Sequence, residues 1–130
     1  MATLQKIYSD IDFTFTKKPV SADVALSYDS QAVIRSVRNL LLTKHYARPF
    51  NPDLGSNVGD MLFENFSNFT ASRLEKEITT VIERYEPRVI LQSVVVSMVQ
   101  DKNSYEVRLT FYLQNSTSAL TTTLLLERTR

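Results

Sequence analysis

The chain has 130 residues, 43% hydrophobic and 22% charged, which is enough for one core and too short for a core plus a separate regulatory module. Zero cysteines remove disulfides, thiolate nucleophiles and cysteine-based metal sites together, and the single histidine, His45, leaves little scope for histidine-based catalysis. Fifteen Lys and Arg against fourteen Asp and Glu give a net charge of +1, too balanced for a protein whose main task is to neutralise phosphates. The chain is therefore expected to form one domain over residues 1–130, soluble and unprocessed, with no cofactor, no membrane span and no nucleic-acid partner.

In chain order, Ile11, Phe13 and Phe15 alternate with Asp12, Thr14 and Thr16, the pattern of a short half-buried strand that Lys17, Lys18 and Pro19 end. Tyr28-Asp29-Ser30 offers a helix start. Val33, Ile34, Val37, Leu40 and Leu41 then recur at spacings of three and four, which predicts an amphipathic helix over 30–44. Both glycines, Gly55 and Gly59, and two of the four prolines, Pro49 and Pro52, fall between positions 49 and 59 and mark a structured loop. Leu54-Gly55 supplies a left-handed turn before a short helix carrying Met61, Leu62 and Phe63. Thr70 is the expected cap of a second long helix with an apolar stripe on Leu74, Ile78, Val81, Ile82 and Tyr85, stopped at Glu86-Pro87.

From Val89 the period changes. Val89 to Val99 is rich in β-branched residues, Asp101 to Ser104 is turn chemistry, and Tyr105, Val107, Leu109, Phe111 and Leu113 alternate with polar neighbours, giving an antiparallel hairpin. Residues 120–128 read as a further strand without clean alternation. The order predicts an α+β fold, with two long helices and a short one packed on an antiparallel sheet and an extendable C-terminal strand region at 114–130.

Three places admit two readings. Pro-flanked Phe50 belongs by common usage in its own core, while neighbouring Arg48 is exposed and available to a partner. Glu86 and Arg88 sit two apart across an extended proline, so carboxylate and guanidinium form a fixed pair facing a partner, or Arg88 faces the end of its own preceding helix. The C-terminal segment either folds back as an internal edge strand or adds to another chain's sheet; Ser116 to Thr123 hold six Ser or Thr in eight, which sets register weakly. His45 is read as a solvated helix-end residue, with no second ligand at metal-site spacing.

Tyr8-Ser9-Asp10-Ile11-Asp12, Arg48-Pro49-Phe50-Asn51-Pro52 with Gly55, Leu62-Phe63-Glu64 and Glu86-Pro87-Arg88-Val89, in that order and spacing, resemble the baseplate wedge and sheath-initiator family of contractile-tailed bacteriophages. Relatives of that family occur in type VI secretion machines. The chain departs from its pattern at His45-Tyr46-Ala47, where a glycine is common. The resemblance implies a structural protein of the virion tail baseplate, present in the host cytoplasm during assembly, monomeric alone and in about six copies around a ring. It implies that Glu86, Pro87 and Arg88, with Arg48 and Phe50, meet the helical core-bundle components of the wedge. It further implies that the C-terminal strand, with Leu120, Thr122, Leu124 and Leu126, pairs with the tail sheath protein; the tail tube or central hub are further partners.

Relatives of that family have been called lysozyme-like, so a peptidoglycan hydrolase is the enzymatic alternative. It would need two carboxylates about 5 to 9.5 Å apart, one with a raised pKa, from among Glu64, Glu83 and Glu86. Arg88 beside Glu86 argues against that role. A generic adaptor or nucleic-acid-binding domain is a third class, but Lys17-Lys18 and Arg128-Thr129-Arg130 are short and lack interleaved aromatics. The expectation is a protein without turnover.

Overall fold

The structure, a computed structural model, describes residues 8–12, 14–19, 23–114 and 116–127, the side chains at 26 and 27 excepted. β1 (Ser9–Ile11) pairs antiparallel with β2 (Leu26–Tyr28), which runs directly into α1 (Asp29–Leu42). The first strand stops earlier than its alternation predicts. Asp12 accepts the Thr14 N–H, and the Phe15 N–H donates to the Asp12 carbonyl at 2.9 Å, so the chain turns there. Phe15 leaves that turn at φ 49° and is 67% exposed; Phe13 lies outside the described residues. The Thr14 hydroxyl and N–H, joined by Arg35 of α1, hold the Asp12 carboxyl down at about 2.

α1 buries Val33, Val37, Leu40 and Leu41 on one face, as the three-and-four spacing requires. The loop after it returns to the end of the same helix. The Ser56 N–H donates to the Thr43 carbonyl at 2.9 Å, the Ser56 hydroxyl donates to the Leu41 carbonyl at 2.6 Å, and Gly55 makes the turn at φ 142°. A short helix, α2 (Val58–Met61), forms just before the predicted Met61–Phe63 position. The cap of α3 (Asn68–Tyr85) is Ser67 and not Thr70: the Ser67 hydroxyl accepts the Thr70 N–H at 3.2 Å, while the Thr70 hydroxyl donates to the Asn65 carbonyl at 2.8 Å. Among the described residues no helix is long and apolar enough to cross a membrane.

β3 (Val89–Val99), β4 (Ser104–Leu113) and β5 (Ala119–Glu127) form one antiparallel sheet in the order β3-β4-β5. Central β4 buries Tyr105, Val107, Leu109, Phe111 and Leu113 against the helices, the face its alternation predicts. α3 lies along β3, and α1 lies toward β5. β3 lacks clean alternation because it is bulged between Leu91 and Ser93, which moves its inward positions from 89 and 91 to 94, 96 and 98. Residues 119–127 fold back on β4 from Tyr112↔Ala119 to Ser104↔Glu127, so the C-terminal segment is an internal edge strand. The architecture is the expected α+β, with two long helices and a short one on one face of the sheet.

Candidate partner-binding site

Pro87 offers no N–H to continue α3, so the chain leaves the helix at Tyr85 and enters β3 at Val89, two residues after the proline. In that corner Arg88 Nε donates to Glu86 Oε1 at 2.7 Å and Arg88 Nη2 to Glu86 Oε2 at 3.0 Å, a two-pronged pair. The Ser36 hydroxyl of α1 donates to Glu86 Oε2 at 2.6 Å, and the guanidinium stands over the Tyr8 ring, 5.5 Å from its centroid. The corner thus clips the N-terminal strand, α1 and the sheet together. Glu86 is 4% exposed; burial by itself pushes its carboxyl up, but the hydrogen bonds from Arg88 and Ser36 outweigh that and hold it below the usual value. Hydrogen bonding to Glu86 raises the Arg88 pKa in turn. Of the alternatives left open for Arg88, the fixed pair forms, with Arg88 turned inward onto Glu86.

Glu86 and Arg48 come together across 38 residues of chain, lining one open concavity of about 330 Å³ with Asp10, Asn39 and Tyr85. Phe50 does not join them. The expectation that it packs in its own core fails, because Pro49 and Phe50 fill the middle of a turn closed by Asn51 N–H to the Arg48 carbonyl at 3.2 Å. That geometry puts the ring at the tip, 100% exposed. The base of the loop is fastened by Tyr46 N–H to the Pro52 carbonyl at 2.9 Å and by the Tyr85 hydroxyl to the Asp53 carbonyl at 2.6 Å. Tyr46 adopts φ 65°, the left-handed backbone that glycine supplies more easily, and His45 is held through Nδ1 against the Asp53 carbonyl at 3.2 Å.

At β5 the sequence named the wrong half of the strand. Leu120, Thr122, Leu124 and Leu126 point toward the core, with Leu124 and Leu126 buried. Their backbone groups are also committed. Val96 N–H of β3 points away from β4, and Gln114 N–H donates to the Arg88 carbonyl, which fixes the alternation of the ladder. The odd-numbered residues of β4 therefore bond to 120, 122, 124 and 126, and the outward N–H and C=O groups belong to Thr121, Thr123 and Leu125. Beside this edge, free among the described residues, runs an open groove of about 310 Å³ lined by Arg38, Leu41, Leu42 and Leu62 and by residues 123–127. The register with β4, whose inward residues are plain in the sequence, is the signal that finds these positions.

The carboxylates of the enzymatic alternative are not set up as a general acid and its partner. Glu64 is ion-paired with Arg73, Glu83 is exposed on α3, and Glu86 is held as the anion, the opposite of what a general acid needs.

The addressable features are thus surfaces: a strand edge open among the described residues beside a leucine-lined groove, an exposed aromatic on a stiff loop, and a charged concavity. They define a small α+β domain suited to binding other proteins. Residues 27–118 match the family described as baseplate wedge protein gp25, and the chain belongs to that family. Baseplate wedge protein gp25 of Enterobacteria phage T4 is 34% identical over 111 residues, 85% of this chain and 83% of that protein. A candidate tail lysozyme from Geobacter sulfurreducens has the same fold with a TM-score of 0.73 at 20% identity, over 82% of this chain and 96% of that one. A chain of the anti-feeding prophage baseplate matches with a TM-score of 0.63 at 20% identity, over 95% and 87%. At those identities the two structures speak for the fold alone.

Proposed function

We propose that this chain joins wedge proteins in the baseplate of a contractile tail and starts sheath polymerisation by accepting a strand of the sheath protein at β5, without turnover of any substrate. The observation that carries the reading is the outer edge of β5, unpaired among the described residues, beside its groove. An added strand would pair with Thr121, Thr123 and Leu125 and lay alternate side chains against Leu41, Leu42 and Leu62. The wedge side of the function falls to Arg48, Phe50 and the Glu86-Pro87-Arg88 corner, facing helical core-bundle components. The chain would sit as about six copies in a tail ring close to tube and hub, after assembly in the host cytoplasm.

Thr123→Pro tests the strand. Its N–H points outward, so proline removes no ladder bond and should cost about 1 kcal/mol or less, while Thr122→Pro removes an inward bond and should cost about 3 kcal/mol. Thr123→Pro baseplates are expected to assemble but to carry no sheath in negative-stain micrographs. Sheathed tails at the wild-type frequency would overturn the reading. Deleting the segment after position 115 is not an equivalent test, since it uncovers the β4 edge and the core around Leu124 and Leu126.

Phe50→Ala tests the wedge surface. A fully exposed ring contributes no packing, so the midpoint of thermal unfolding should stay within about 2 °C of wild type. Affinity for wedge proteins should fall by about tenfold or more, as for a buried aromatic anchor. Unchanged affinity in a titration would remove Phe50 from the interface.

A further inference from the structure

The two outer edges of the sheet are unequal. β3 is the long one: eleven residues, Val89–Val99, with no charge, proline or glycine, and with Val94-Val95-Val96 at its centre. Such a strand with free backbone groups is a template for pairing with another chain. At Val96↔Val107 the backbone groups of both residues turn away from each other, so the Val96 N–H faces outward. It is not free. Glu75 of α3 accepts it through Oε1 at 3.0 Å, and α3 itself lies along β3, with Glu75, Lys76, Thr79 and Val94 lining the same shallow surface depression. Among the described residues no side chain makes the corresponding bond to the outward N–H of Thr121, Thr123 or Leu125 on β5.

We propose that Glu75 closes the β3 edge and thereby confines strand addition to β5. The carboxylate occupies a hydrogen-bonding position in the middle of β3 that an incoming strand would need. Such a strand would have to displace the carboxylate from a charge-assisted bond before its own carbonyl could accept the same N–H. The contrast explains how a domain that presents one edge to a partner keeps the more aggregation-prone edge from pairing with copies of itself. The inference uses the proposed function only for what the β5 edge is for; closure of β3 is tested on the isolated full chain.

In Glu75→Ala, the Val96 amide should exchange with solvent about tenfold faster relative to the Val95 amide, whose ladder bond to β4 is untouched and reports any global loss of stability. Light scattering should show self-association of Glu75→Ala at concentrations where wild type and Glu75→Gln do not associate further, because the glutamine oxygen still accepts the bond. Adding Val95→Lys, an exposed position at 47%, should return Glu75→Ala to the wild-type mass by placing a charge on the strand. Equal acceleration of Val95 and Val96, or a wild-type mass for Glu75→Ala, would overturn the proposal, as would self-association that Val95→Lys leaves intact. None of these readouts involves sheath, so failure of strand addition at β5 shows separately, in Thr123→Pro.

Discussion

Alanine at position 55 is expected to lower the stability of the domain by about 3 kcal/mol, a fall of roughly 10 °C in the unfolding midpoint. Gly55 lies at φ 142°, which side-chain-bearing residues rarely adopt, and a Cβ there would stand 2.8 Å from the carbonyl carbon and oxygen of Lys44 and from the Thr43 carbonyl oxygen. All three atoms are backbone. The loop cannot retreat from them, because Ser56 is bonded to the Thr43 and Leu41 carbonyls on either side of the end of α1. Gly59→Ala is the control: its Cβ would meet only the flexible Lys44 Cε, at 3.3 Å, inside a helix that favours alanine by up to about 1 kcal/mol. Urea titrations of the two variants should therefore move in opposite directions or differ by more than about 2 kcal/mol. Equal effects would mean that the loop is not clamped as described. Gly55→Ala should also weaken wedge binding beyond its effect on stability, since the same loop presents Phe50 and Arg48.

Arg88→Ala is expected to cost about 2 to 3 kcal/mol at neutral pH, below the full value for a buried pair because Arg88 is 28% exposed at its side chain and Ser36 still donates to Glu86. The pH dependence should change sign at this residue. In the wild type the folded-state pKa of Glu86 is depressed, so its contribution is present above the ordinary glutamate value and is lost as pH falls through the folded one. Without Arg88, burial dominates and the folded-state pKa rises above the unfolded one. The penalty then appears as pH rises past the unfolded value and shrinks below it. Stability measured from about pH 7 down to pH 4 should therefore show the two proteins converging, with Glu86→Gln in the Arg88→Ala background removing most of the penalty at neutral pH. Parallel curves would rule out the ion pair as the source of the loss. Because the corner fastens three elements, a binding defect in Arg88→Ala has to be judged against its stability.

The two long helices and the hairpin were readable from spacing, since a three-and-four or alternating pattern reports which face meets a core, whereas the Glu86-Pro87-Arg88 step left two arrangements of Arg88 open until Ser36 and Tyr8 were seen beside it. Errors arose where local and long-range bonding compete. Thr70 looked like a cap, but its hydroxyl is engaged by Asn65 and the cap passes to Ser67. Ile11 to Phe15 alternates, yet the Asp12 side chain satisfies the backbone in a turn before the strand can continue. The bulge in β3 hid its pattern altogether, because one extra residue exchanges the inward and outward sets.

The candidate site divides the same way. Composition, the two loop glycines, the Pro-flanked aromatic and the Glu86-Pro87-Arg88 step were determined by the sequence alone, because each expresses a constraint acting within a few residues of chain. Only the tertiary structure decided that Phe50 faces solvent, that Arg48 and Glu86 share a concavity, that Thr121, Thr123 and Leu125 carry the open edge, and that Glu75 covers the other one. Those facts depend on which strands pair and in what register, and on which helix lies over which edge. Pairing is settled by burial and backbone hydrogen bonds between segments far apart in the chain.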